Sequence, residues 1–224
     1  MNDTKDRILD AAEGLLAEQG LTATSLRGIT SLAKVNLGAV NYHFQTKEAL
    51  IHAVFARRLG PLNRARLAAL DACGAKAAGR PVPLEDLLRA FLGPVLRLGR
   101  DGECFIKLLG RMYTEPSLDI HRIFSAELGE TVGRFEKAFR RTLPGLDLQE
   151  LYWRLFFIIG SMAQIMAAGT LLKFISNGVC DPSDMEEAEI RLIRFAEAGL
   201  SAPATVRRKR SRVRKQADVK AIQL

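Results

Sequence analysis

Cysteine is scarce in this 224-residue chain, and Cys73, Cys104 and Cys180 lie too far apart for a disulfide framework or a thiolate metal site. A reduced, cytoplasmic protein is the natural expectation. Histidine is equally rare: His43, His52 and His121 share no metal-ligand spacing. The chain also lacks H-E-x-x-H, C-x-x-C, G-x-S-x-G and a glycine-rich phosphate loop. No catalytic residue, metal site or cofactor is therefore expected, and the chain does not read as an enzyme. The opening M-N-D-T-K-D-R runs straight into an amphipathic pattern, without the apolar stretch of a signal peptide. What is present is apolar content, 48% of residues with a mean hydropathy of +0.02, which excludes a disordered chain.

Charge is unevenly placed. The formal net charge is +8 and the pI about 9.7, yet residues 1–50 are nearly balanced. Residues 203–224 instead carry eight basic side chains against Asp218. The high pI is thus mostly a property of this tail, whose run T-V-R-R-K-R-S-R-V-R-K-Q has no apolar period and is expected to be disordered.

Elsewhere the apolar period is helical. Residues 4–19 set Ile8, Leu9, Ala12, Leu15 and Leu16 on one stripe that Gly20 ends. Ser25 and Thr46 are placed to cap helices. Gly60-Pro61 is expected to kink or interrupt the helix that begins at K-E-A-L, because proline removes a donor and crowds the preceding turn. Residues 74–83, rich in small residues, Gly and Pro, read as a loop. Further helices are predicted near 84–99, 103–114, 117–142, 148–175 and 184–199. Asp147-L-Q-Glu150 and Ser183-D-M-Glu186 have the form of capping boxes at two of their starts. The fold class is all-α.

Residues 25–44 hold two short helices around a brief turn, the spacing of a helix-turn-helix. Ile29, Ala33, Val35 and Val40 face inward, while Asn36, Gly38, Ala39 and Asn41 face outward. Small residues let such a helix approach base edges, and asparagine can bond adenine bidentately. Tyr42 and His43 offer phosphate donors at the far end, and Lys47 adds a cation in the first turn of the next helix. Aromatic packing beneath the helix is the alternative role for Tyr42.

The motifs I-L-D-A-A-E-G-L-L-A-E-Q-G, T-S-L-R-G-I-T, V-N-L-G-A-V-N-Y-H-F and T-K-E-A-L resemble the DNA-binding domain of the TetR family of transcriptional regulators. Closely this covers about 50 residues, and in layout the whole chain. The resemblance implies phosphate contacts for Ser25, Tyr42, His43 and Lys47, and base-facing positions for Arg27, Leu37, Gly38, Ala39 and Asn41. It implies a helix-turn-helix domain at 1–50 joined to a larger effector-binding and dimerisation domain at 51–202, ahead of the tail at 203–224. Lys34 departs from the pattern, standing where such proteins usually have glycine. Lysine can occupy the turn if its backbone stays in an ordinary region, so the substitution bears on the turn's geometry and not on the motif.

Between Leu155 and Leu172 lie 18 uncharged residues, close to a membrane span in length. Gly160, Ser161, Gln164, Gly169 and Thr170 interrupt them, so a helix buried between core and partner is the preferred reading, with no membrane partner. Gly160, Ala163 and Ala167 are spaced for close helix approach at a homodimer interface. By family analogy the middle helices enclose an effector pocket. Its candidate walls are Phe91, Phe105, Met112, Phe124, Phe156, Met162 and Met166, and its candidate polar groups are Arg111, Tyr113, His121 and Gln164. The same side chains also suit plain core packing. The implied function is a repressor on a palindromic double-stranded DNA operator, released by a small apolar, acyl-type effector. An activator of the same fold is the alternative, ahead of a membrane-associated or enzymatic protein.

Overall fold

The computed structural model describes residues 3–98, 103–114 and 120–204, with side chains except at 103, 110–114, 120–124 and 167–170. The described residues form nine helices and no strand. These are α1 (Thr4–Gln19), α2 (Leu26–Ala33), α3 (Leu37–Phe44), α4 (Lys47–Ala77), α5 (Leu84–Leu96), α6 (Glu103–Thr114), α7 (Ile120–Thr142), α8 (Leu148–Ile175) and α9 (Met185–Ser201).

Helices α1 to α3 and the start of α4 form the head. Ile8, Leu16, Leu21, Ile29, Val40, Phe44 and Leu50 meet at its centre. The body packs α4 against α5 and α7, α5 against α9, and α8 against α6 and α9. Leu87, Leu92, Phe105, Phe135, Phe139, Leu151 and Leu192 fill it, and one continuous apolar core runs through both parts.

Two expectations about α4, an interruption at Pro61 and a loop from residue 74, need correction. The helix passes through Pro61 without interruption and continues to Ala77, so residues 74–77 are helical. Val54, Phe55, Leu59, Leu62 and Leu70 are buried along it, and their packing outweighs the one hydrogen bond that proline removes. The turn is confined to residues 78–83, where Ala78 and Gly79 have φ of 48° and 83°.

Helix starts follow the local chemistry. Thr46 Oγ1 accepts from the Ala49 N–H at 3.0 Å, and Asp147 accepts from the Glu150 N–H at 2.8 Å. At α9 the cap falls one residue later than predicted: Asp184, not Ser183, accepts from the Glu187 N–H at 3.0 Å. Ser183 instead donates to Asp181 at 2.6 Å. At the far end of α9, buried Arg154 of α8 donates to the carbonyls of Gly199, Leu200, Ala202 and Pro203, at 2.7–3.0 Å. One guanidinium thereby satisfies acceptors that a helix C-terminus leaves open.

Candidate nucleic-acid interface

The interface is built on α2 and α3. Thr24 is buried and donates to the Gly20 carbonyl at 2.7 Å, with the Leu15 carbonyl at 3.1 Å, tying the start of the motif to α1. Ser25 Oγ accepts from the Gly28 N–H at 3.1 Å, which leaves its O–H for another acceptor. Asn36 Oδ1 accepts from the Ala39 N–H at 2.8 Å, so this outward residue is the N-cap of the recognition helix α3. A side-chain carbon on Gly38 would come within 3.3 Å of that Oδ1, so glycine here keeps the cap uncrowded.

Between the two helices the turn is left-handed. Lys34 has φ 53° and ψ 49°, so lysine occupies the turn without the ordinary backbone region on which its fit was conditioned. The geometry that glycine usually serves is kept here by lysine, a conformation that costs about 1–2 kcal/mol in an L-residue. Arg7 of α1 braces the turn, donating to the carbonyls of Ala33 and Lys34 at 2.5 and 2.9 Å.

Arg27, Leu37, Gly38 and Asn41 are exposed, while Ala39 is half-buried against the core. Tyr42 is 84% exposed, which removes the packing alternative, and its ring meets His43 edge-on at 5.1 Å. His43 is half-buried. Lys47, in the first turn of α4, donates to the Thr22 carbonyl at 3.3 Å, which holds its ammonium beside the α1–α2 loop.

The joint between head and body went unread in the sequence. Glu13 of α1 is 3% exposed and faces two arginines of α4: Arg57 at 2.6 Å and Arg58 at 2.8 Å. Asp10 also takes Arg57, at 2.7 Å. Burial pulls the Arg57 guanidinium down, but the hydrogen bonds to Glu13 and Asp10 outweigh it and hold it above its ordinary value. Cys104 of α6 donates its thiol to the Glu13 carbonyl at 3.5 Å, and burial raises that thiol's pKa. The available signal was an acid set in the apolar stripe of α1, which needs a partner.

In the body, Phe91, Phe105 and Met162 are buried and Met166 is half-buried. Phe156 is 61% exposed and Gln164 is exposed, so these two leave the interior set. With Phe157, Gly160, Ser161, Ile165, Arg191, Leu192 and Phe195 they line an open groove between α8 and α9. Ala163 is half-buried beside it. The side chains of Arg111, Met112, Tyr113, His121, Phe124 and Ala167 lie outside the described residues, as do residues 205–224 of the tail. Among the described residues, no helix is long and apolar enough to cross a membrane.

Residues 8–54 match the family model for bacterial regulatory proteins of the tetR family, and residues 89–199 match the tetracyclin repressor-like C-terminal domain. The chain belongs to the TetR family. It is therefore a helix-turn-helix transcriptional regulator rather than an enzyme. An HTH-type transcriptional repressor of Mycobacterium tuberculosis is 53% identical over 47 residues, 21% of this chain and 25% of that protein. An uncharacterized HTH-type regulator of Bacillus subtilis is 30% identical over 110 residues, 49% of this chain and 36% of that protein. The matched stretch thus spans well under half of either relative. Among solved structures, the regulator FadR of Bacillus subtilis in complex with stearoyl-CoA superposes with a TM-score of 0.60. It is 14% identical, covering 87% of this chain and 98% of that one, a likeness of fold. The helix-turn-helix of this TetR-family chain lies within residues 8–54, the stretch matched by the N-terminal family model.

Proposed function

We propose that this TetR-family protein is a cytoplasmic, effector-responsive repressor that binds a palindromic operator as a homodimer. Residues 1–50 read DNA, 51–202 bind effector and dimerise, and the basic tail at 203–224 follows. The observation that carries the reading is the pairing of two exposed faces on one chain. One is a short, small-residue recognition helix, and the other an aromatic stripe on α8 and α9.

A single short helix reads only a half-site, so symmetric DNA calls for two copies. Trp153, Phe156, Phe157 and Gly160 share one side of α8, beside Phe195 of α9, and this apolar groove suits self-association. On the head, Asn41, Gly38, Ala39, Leu37 and Arg27 face bases. Ser25, Tyr42, His43 and Lys47 hold phosphates and fix the docking angle. The effector is a small apolar molecule of acyl type seated among the body helices near Phe91 and Phe105. The FadR complex with stearoyl-CoA supports this class, and release of DNA follows its binding.

Selection of bound duplexes from a random pool, followed by a gel shift with and without candidate effectors, tests the reading. A two-fold symmetric site with half-sites about one helical turn apart is expected. Enrichment of an asymmetric single half-site would contradict it.

A further inference from the structure

Asn63 of α4 is 6% exposed and lies at the interface of α4 with α7. Its Nδ2 donates to the Glu127 backbone carbonyl at 2.6 Å, while its Oδ1 has no hydrogen-bond partner in the structure. The two ends of the amide are not interchangeable here. Turned over, the amide would set two carbonyl oxygens against one another at the same distance, so the unpaired atom is an acceptor. A buried acceptor left open is costly, and in native folds nearly all such atoms meet a donor from protein, water or ligand.

The facing helix α7 carries both polar and aromatic side chains. On α7, Glu127, Thr131, Phe135 and Phe139 follow at four-residue spacing, so one face runs from polar to aromatic. Thr131, Phe135 and Phe139 are buried, and Phe91 of α5 lies 5.0 and 6.0 Å from the two phenylalanine rings. Arg66, one turn beyond Asn63, is engaged with Phe91: its Nε donates to the Phe91 carbonyl at 2.8 Å, and its guanidinium lies 4.9 Å over the ring.

We infer that the effector carries a hydrogen-bond donor, an O–H or N–H, on an otherwise apolar body, and that it presents this donor to Asn63 Oδ1. The inference rests on the proposed effector site among these helices and narrows its ligand class. Alcohols and amides of a fatty chain satisfy the acceptor. A fatty carboxylate or simple ester brings only acceptors and sets its lone pairs against those of Oδ1. Sites built for one hydrogen bond reject analogues that lack it.

Four probes of equal chain length test this on the full-length protein by titration calorimetry: dodecanol, dodecanamide, dodecanoate and methyl dodecanoate. The first two bind roughly tenfold to a hundredfold tighter than the last two. Asn63→Leu removes that difference without lowering the melting temperature of the ligand-free protein. Equal binding of all four by the wild type overturns the donor requirement and leaves the apolar-effector reading standing. Binding of none overturns both. A lowered melting temperature in Asn63→Leu with the ranking unchanged assigns Asn63 to the fold, its Oδ1 held by a buried water, and overturns the inference as well.

Discussion

The recognition helix α3 and the outer side of α8 are both exposed, yet they present opposite chemistry. On α3 the small or polar Gly38 and Asn41 face outward beside Leu37 and Tyr42, and the cap on Asn36 is satisfied within the chain. On α8 the outward residues are Trp153, Phe156 and Phe157, with ring centroids 5.7 and 6.4 Å from the tryptophan. Water tolerates the first surface indefinitely, because DNA is read through hydrogen bonds that water makes equally well in its absence. The second surface is costly to leave wet, and covering it stabilises in proportion to apolar area. On the function proposed above, one face meets an intermittent, charged partner and the other a lasting, apolar one.

Breaking the lasting contact has the largest expected effect. A side-chain carbon added to Gly160 meets no atom within 4 Å, so Gly160→Arg fits the single chain and fills the groove with charge. Operator affinity should fall by about a hundredfold or more as the linked second half-site is lost, with circular dichroism unchanged. A variant that touches neither face provides the contrast. Glu13→Ala leaves Arg57 and Arg58 without their buried partner. It should destabilise by about 2 kcal/mol in urea, below the usual figure for a buried pair because both arginines reach solvent. Oligomeric mass should be unaltered.

Within the proposed DNA face, Asn41 and Lys47 are expected to separate specificity from positioning. Asn41→Ala should cost about 1–3 kcal/mol at one base position and relax preference there. Lys47→Ala should weaken binding to all sequences alike and reduce the salt slope by about 0.9 for each chain bound. Uniform losses from both variants across a panel of operator mutants would erase that distinction. The smallest effect belongs to the turn. Lys34→Gly relieves a left-handed lysine and should stabilise by roughly 0.5–1 kcal/mol in urea, with base preference retained.

Much of the head was legible in the sequence because its rules are local. Ser25 and Thr46 cap where their side chains predict, and Ile29, Ala33 and Val40 are buried as the helical period requires. The bounds of α8 were equally readable, from Asp147 at one end to the polar run after Ile175 at the other. What escaped depended on partners distant in the chain. Pro61 was expected to kink or interrupt α4, but the helix runs on through it to Ala77, packed against helices far along the sequence. Arg154 closes the end of α9, 45 residues away at Gly199. Phe156 and Phe91 look alike as apolar residues in helical runs, yet one lies in the α8–α9 groove and the other in the core. Only packing against other helices separates them.

The central claim is that the α8–α9 faces bring two recognition helices onto one operator. Its most direct test is the light-scattering mass of the wild-type protein bound to a single selected operator duplex, beside Gly160→Arg on the same duplex. The account predicts an even number of chains per duplex for the wild type, and monomer with no stable complex for the variant. A single wild-type chain held tightly and specifically on that duplex would contradict it.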